Sequence, residues 1–152
     1  MHMKLTFEQA ALPEPEVVIR GDLADPRVRE LAAAVQRAVG ASRLFLYRDG
    51  REYPHDFSVI AWFEAVDGRT LAHLGREVYE TKYKLYELAE LGYRHGFVQI
   101  NRGVLVNIRS VESVAAEFSG NYTACLRDGK TRLTISRKYV KAFRQYVLEG
   151  EG

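Results

Sequence analysis

Three Asp-Gly dipeptides, Asp49-Gly50, Asp67-Gly68 and Asp128-Gly129, each close a short apolar run. This constrains the fold more than any other feature of the chain. A two-residue turn that matches the twist of antiparallel strands needs positive φ at its centre, and Asp and Gly are the residues that tolerate it. The flanking runs have strand length. Leu44–Tyr47 precedes the first turn and Val59–Val66 the second, while Thr70–Leu74 and Glu77–Thr81 form a further hairpin around Gly75. Phe97–Ile100 and Val104–Val106 enclose the polar pair Asn101-Arg102, Val111–Phe118 and Tyr122–Leu126 face each other across Ser119-Gly120-Asn121, and Arg132–Ile135 follows the last Asp-Gly. Many short strands at this spacing predict a mainly β, antiparallel fold, a sandwich or open barrel, beginning at residue 42.

Two helices interrupt or end that pattern. Leu85, Leu88 and Leu91 recur at helical spacing before Gly92, and Val140, Phe143 and Val147 form a stripe on a terminal helix that Ser136 is placed to cap, running to about Leu148. Residues 1–41 read differently. Lys4–Glu8 and Glu16–Arg20 resemble strands separated by Pro13 and Pro15, and Asp25-Pro26 opens a helix with Val28, Leu31, Ala32, Val35 and Val39 on one side, ending at Gly40. A β-β-α extension of this size buries too little apolar surface to be stable alone, so it is expected to dock or to dimerise through Leu31, Ala32, Val35 and Ala38.

Composition removes several function classes. With 47% hydrophobic residues and a net charge of +2, the 152 residues suit one main domain with an appendage rather than a disordered chain. A single cysteine, Cys125, rules out an internal disulfide and any multi-cysteine metal site. His55, His73 and His95 are too widely spaced for a metal motif, and neither a P-loop nor a GxGxxG pattern occurs, so no metal, cofactor or catalytic residue is expected. The tyrosines, Tyr47, Tyr53, Tyr79, Tyr83 and Tyr86 among them, suit core or cross-strand positions better than a base-stacking platform. No apolar stretch is long enough to span a membrane, and a cytoplasmic location is expected. Charge is uneven: residues 1–40 hold 5 Lys and Arg against 6 Asp and Glu, and residues 94–152 hold 10 against 5. The basic end points to a polyanion.

One stretch is more specific. The run Phe97-Val98-Gln99-Ile100-Asn101-Arg102-Gly103-Val104-Leu105-Val106-Asn107, then Asp128-Gly129 and Ile135-Ser136-Arg137-Lys138-Tyr139-Val140, resembles the LytTR family of bacterial DNA-binding domains. Upstream, Ile60-Ala61-Trp62-Phe63-Glu64-Ala65 with Gly68, Thr70 and His73 agrees in order and spacing, so the resemblance covers roughly residues 42–148. It implies an antiparallel β fold whose loops enter successive major grooves of bent double-stranded DNA, usually at tandem direct repeats, in a transcriptional regulator rather than an enzyme.

The resemblance also implies which residues meet DNA. Arg102 matches a groove-entering position and has the geometry for two hydrogen bonds to guanine. Beside it, Asn101 either reads adenine or satisfies a turn. Arg137 and Lys138 match a second recognition position at the start of the last helix; which of them reaches a base stays open, and Lys141 with Arg144 suits phosphate contact or a solvated face. Arg69 adjoins a third position, occupied here by Gly68, and either substitutes for the missing contact or leaves it vacant. Relatives often place His before the Arg and a small polar residue and an aromatic after it, where this chain has Asn101, Gly103 and Val104. Asn107 reads as a backbone-bonding turn residue. The first forty residues are too short for a phosphorylated receiver domain. The chain resembles short regulators, some restrained by a membrane protein; such a regulatory partner and a homodimer are the expected assemblies, with no small-molecule substrate. The competing reading is a protein-interaction module whose basic loops serve docking to such a partner.

Overall fold

The computed structural model describes residues 3–13, 15–39 and 43–149. The chain divides into two units, Met1–Val39 and Gly40–Gly152. In the first, helix α1 (Pro26–Val39) starts where Asp25-Pro26 places it: the Asp25 carboxylate accepts the Arg27 backbone N–H at 2.9 Å, and the Asp25 carbonyl accepts that of Arg29 at 3.1 Å. Val28, Leu31, Ala32 and Val35 are half-buried. The two strands expected before it are absent among the described residues. Leu5 and Phe7 are 79% and 91% exposed, and Val17 and Val18 are also exposed. Alternation makes a strand only when a neighbour supplies the ladder, and the prolines at 13 and 15 each remove a donor where the runs would have to pair. Among the described residues the unit is therefore irregular chain followed by a helix. The helix stop at Gly40, the boundary at 41/42 and the side chains of Ala38 and Val39 lie outside the described residues.

The second unit is mainly antiparallel β, as its turn pattern predicts. Strands β1 (Arg43–Arg48), β2 (Arg51–Asp56), β3 (Trp62–Val66), β4 (Arg69–Leu74), β5 (Glu77–Thr81), β6 (Phe97–Asn101) and β7 (Val104–Asn107) form one sheet in the order β2-β1-β5-β4-β3-β7-β6. A second sheet holds β8 (Val111–Ala116), β9 (Tyr122–Leu126) and β10 (Arg132–Ile135) in the order β10-β9-β8. Helix α2 (Leu85–Gly92) lies between β5 and β6, and α3 (Arg137–Glu149) follows β10. Two strands are shorter than expected. Residues Phe57–Val59 form a 3-10 turn that sinks Phe57 beside the equally buried Ile60, so β3 begins at Trp62, and β8 stops before the polar turn that contains Phe118.

Strands β6 and β7 are buried on both sides. Phe97 and Leu105 join a core with Leu44, Leu46, Phe63, Ala72 and the α2 residues Leu85 and Leu88. Val98, Ile100 and Val106 point the other way, into a core with Ala124, Leu126, Leu133, Ile135 and the α3 residues Phe143 and Tyr146. Double-sided burial explains why these strands read as continuous apolar runs rather than alternating ones. It also fixes the loop between them to both sheets.

Candidate nucleic-acid interface

The β6–β7 loop is shaped by a bulge and clamped by amides. Gln99 pairs with Leu105 and Asn101 with Val104, so the buried Ile100 is one residue in excess, and the strand turns there. The Asn101 side chain uses both ends. Its Oδ1 accepts the Gly103 N–H at 2.9 Å, while its Nδ2 donates to the Thr134 carbonyl of β10 at 2.8 Å. Gln99 Nε2 donates to the Asn101 carbonyl at 3.0 Å. With its backbone held this way, and the Arg102 carbonyl also accepting from Gln99 Nε2 at 3.5 Å, the loop presents Arg102 at its tip, exposed and with no ion pair or hydrogen bond from its side chain to any described residue. Of Asn101's two readings, this geometry is that of the turn residue.

The start of α3 is tied to the same loop. The Ser136 N–H donates to the Ile100 carbonyl at 2.8 Å, and the Ser136 carbonyl accepts the Tyr139 N–H at 2.7 Å. The Arg137 N–H, first of the helix, donates to Asn121 Oδ1 at 2.9 Å, a cap supplied from the β8–β9 turn. That turn is closed by Glu117 N–H to the Asn121 carbonyl at 2.9 Å and Gly120 N–H to the Glu117 carbonyl at 3.1 Å. Gly120 has φ +92°, and a Cβ there would stand 2.8 Å from Arg137 Cδ, so the arginine stem lies directly over the glycine. Arg137, Lys138 and Lys141 are exposed, and their side chains have no partner among the described residues. Four residues apart, Arg137 and Lys141 share one helix face.

A third turn lies beside them. Ala65 N–H donates to the Gly103 carbonyl at 2.9 Å, which brings the Asp67-Gly68 turn, at φ +50° and +76°, beside the Arg102 loop. Arg69 opens β4, and its Nη1 lies 2.6 Å from Glu80 Oε1 on β5. An exposed pair of this kind contributes roughly 0–1 kcal/mol, so Arg69 is held by a bond that an incoming phosphate can compete for. Arg144, further along α3, sits over the Tyr122 ring at 5.0 Å.

The other polar residues weighed from the sequence are structural. Asn107 is 1% exposed; its Nδ2 donates to the Ile60 carbonyl and its Oδ1 accepts the Arg109 N–H, both at 3.0 Å. His73 stacks on Trp62 at 3.7 Å and bonds Glu64 at 3.0 Å, His95 stacks on Phe57 at 4.8 Å, and His55 lies edge-on to Tyr79 at 5.2 Å. Cys125 is half-buried in β9. Of the tyrosines, Tyr79 is buried, whereas Tyr83 and Tyr86 are exposed. Gln99 and Asn121, which set the loop and the helix start, were not legible as site residues: their partners are distant in sequence or lie on backbone atoms.

The loops so assembled carry Arg102, Arg137, Lys138 and Lys141, exposed and with no side-chain partner among the described residues, on a mainly antiparallel β scaffold. The family model of the LytTr DNA-binding domain matches residues 50–147, and the chain belongs to the LytTR family, a family of DNA-binding domains rather than of enzymes. Among solved structures, the chain is similar to the "LytTr DNA-binding domain of putative methyl-accepting/DNA response regulator from Bacillus cereus", with a TM-score of 0.66 and 23% identity, over 71% of this chain and 98% of that one. No curated protein matches the chain. Among the described residues no helix is long and apolar enough to cross a membrane.

Proposed function

We propose that the protein is a sequence-specific regulator of transcription that binds double-stranded DNA through the turns gathered around Arg102. The observation that carries this reading is the cross-bonding of the β6–β7 loop, the β8–β9 turn and the α3 start in a LytTR domain, on which Arg102, Arg137, Lys138 and Lys141 are exposed with no side-chain partner among the described residues. Arg102 reads guanine in one major groove. Asn101 holds that loop in shape, Arg137 and Lys138 serve the next groove from the α3 start, Lys141 neutralises a phosphate beside them, and Arg69 exchanges Glu80 for the backbone. A protein that reads successive grooves in this way suits tandem repeats.

Residues 42–152 are the DNA-binding domain in this proposal, and residues 1–41 a dimerisation and regulatory unit in the cytoplasm. Its support is the half-buried stripe of α1 and the exposed Leu5, Phe7, Val17 and Val18, apolar surface that a second copy or a membrane-bound regulator would cover. Two copies on two repeats would raise the avidity of each.

Salt dependence tests the electrostatic part. Releasing counterions from duplex DNA gives a slope of log K against log[salt] of about −0.9 per neutralised phosphate. Contacts from Arg137, Lys138, Lys141 and Arg69 predict a slope of roughly −3 to −4 per domain by the same relation. A slope near zero contradicts the proposal and favours docking to a protein.

A further inference from the structure

Phe118 is 113% exposed, more than the same residue in an isolated extended peptide, so its ring rests on none of the described residues. Its neighbours Glu117, Ser119, Gly120 and Asn121 are polar or lack a side chain. The turn that carries it is nonetheless fixed. Two backbone hydrogen bonds close it, Asn121 fastens it to the first N–H of α3, Glu117 Oε1 accepts the Thr123 hydroxyl at 2.5 Å, and the Arg137 stem lies against Gly120. A large apolar ring on a loose loop can fold back onto the surface; one held out by such a turn keeps its surface in water until something covers it. The turn is bonded to the start of α3, where Arg137 lies against Gly120 and Lys138 follows it; the one carboxylate in the turn, Glu117, is engaged by the Thr123 hydroxyl.

We infer that Phe118 is an apolar contact to the duplex. Its ring packs on a thymine methyl group or a deoxyribose beside the phosphates that Arg137 and Lys138 neutralise, adding base preference or grip without adding charge. This rests on the DNA-binding reading above.

The test titrates a duplex enriched by the full-length wild-type protein, at several salt concentrations, with wild type and with Phe118→Ala. Binding should weaken about tenfold, with the slope against log[salt] unchanged because no phosphate contact is lost, and with the thermal midpoint of the free protein unchanged because the ring packs on none of the described residues. Replacing the thymines of the site by deoxyuridine, one at a time, separates the two apolar surfaces. If the methyl is the contact, one replacement weakens wild type and adds nothing to Phe118→Ala; if the sugar is, no replacement matters and Phe118→Ala still weakens binding. Wild-type affinity in Phe118→Ala overturns the inference and leaves DNA binding standing. Failure of wild type to bind any duplex overturns both.

Discussion

Two asparagines show how one residue type serves two purposes in this fold. Asn107 closes the end of β7 inside the protein, where its amide holds the Ile60 carbonyl and the Arg109 N–H. Asn101 makes the same kind of pair at the surface, across to β10. Asn107→Ala leaves the buried Ile60 carbonyl without the amide and frees the part-buried Arg109 N–H, and should lower stability by about 1–3 kcal/mol, read as a shift in the urea midpoint. An unchanged midpoint would mean that water replaces the amide. Asp128 tests a turn in the same manner. The Thr131 hydroxyl, then the Thr131 and Lys130 backbone N–H groups, bond its carboxylate and hold its pKa below the usual aspartate range. A depressed carboxyl pKa stabilises the fold above the ordinary value, and that contribution is lost as pH falls through the lowered one. Carboxyl titration followed by NMR should place Asp128 low and Thr131→Val should raise it; an unmoved midpoint would contradict the cause. At this scale the exposed place of Arg102 between two strands was legible, because the apolar runs that flank it are strands. Its supports were not, because Gln99 and Asn121 act through backbone atoms that a sequence does not bring together.

At the scale of elements, the turns were more legible than the strand ends. Asp49-Gly50 and Asp67-Gly68 adopt the left-handed conformations that the dipeptides predict, with all four φ values positive. The continuous apolar runs of β6 and β7 were legible as strands, and burial by a different core on each face accounts for their composition. The N-terminal strands failed because alternation is only half of a strand: without a ladder partner, Leu5 and Phe7 stay in water. Helix α2 ends at Gly92 as expected, a 3-10 turn over Tyr93–His95 carries on to the left-handed Gly96, and packing gives residue 92 its own reason to be glycine. A Cβ on Gly92 would stand 2.9 Å from Phe97 Cβ, a part of that side chain that cannot swing aside. Gly92→Ala should therefore separate α2 from β6 and cost about 1–3 kcal/mol of stability by overpacking, measured by chemical denaturation. Stabilisation instead would show that the contact yields.

The second unit joins a two-sided β scaffold to one group of cationic loops. The same strands that bury Phe97 and Ile100 in opposite cores deliver Asn101 and Arg102 to the surface, so the rigidity of the loop is a consequence of the fold rather than of the loop itself. Loops held this way lose little freedom on binding, which favours affinity and a defined register on DNA. The surplus of positive charge in residues 94–152 is what a sequence can register of these loops, which come from four separate places in the chain.

Selection of the purified protein against a random pool of duplexes, followed by titration of the enriched site with wild type and Arg102→Ala, tests the central claim most directly. The account predicts a repeated half-site, and a loss of about 1–3 kcal/mol for Arg102→Ala with relaxed preference at one base pair. Enrichment of no sequence, or an Arg102→Ala protein that keeps both affinity and preference, would contradict it.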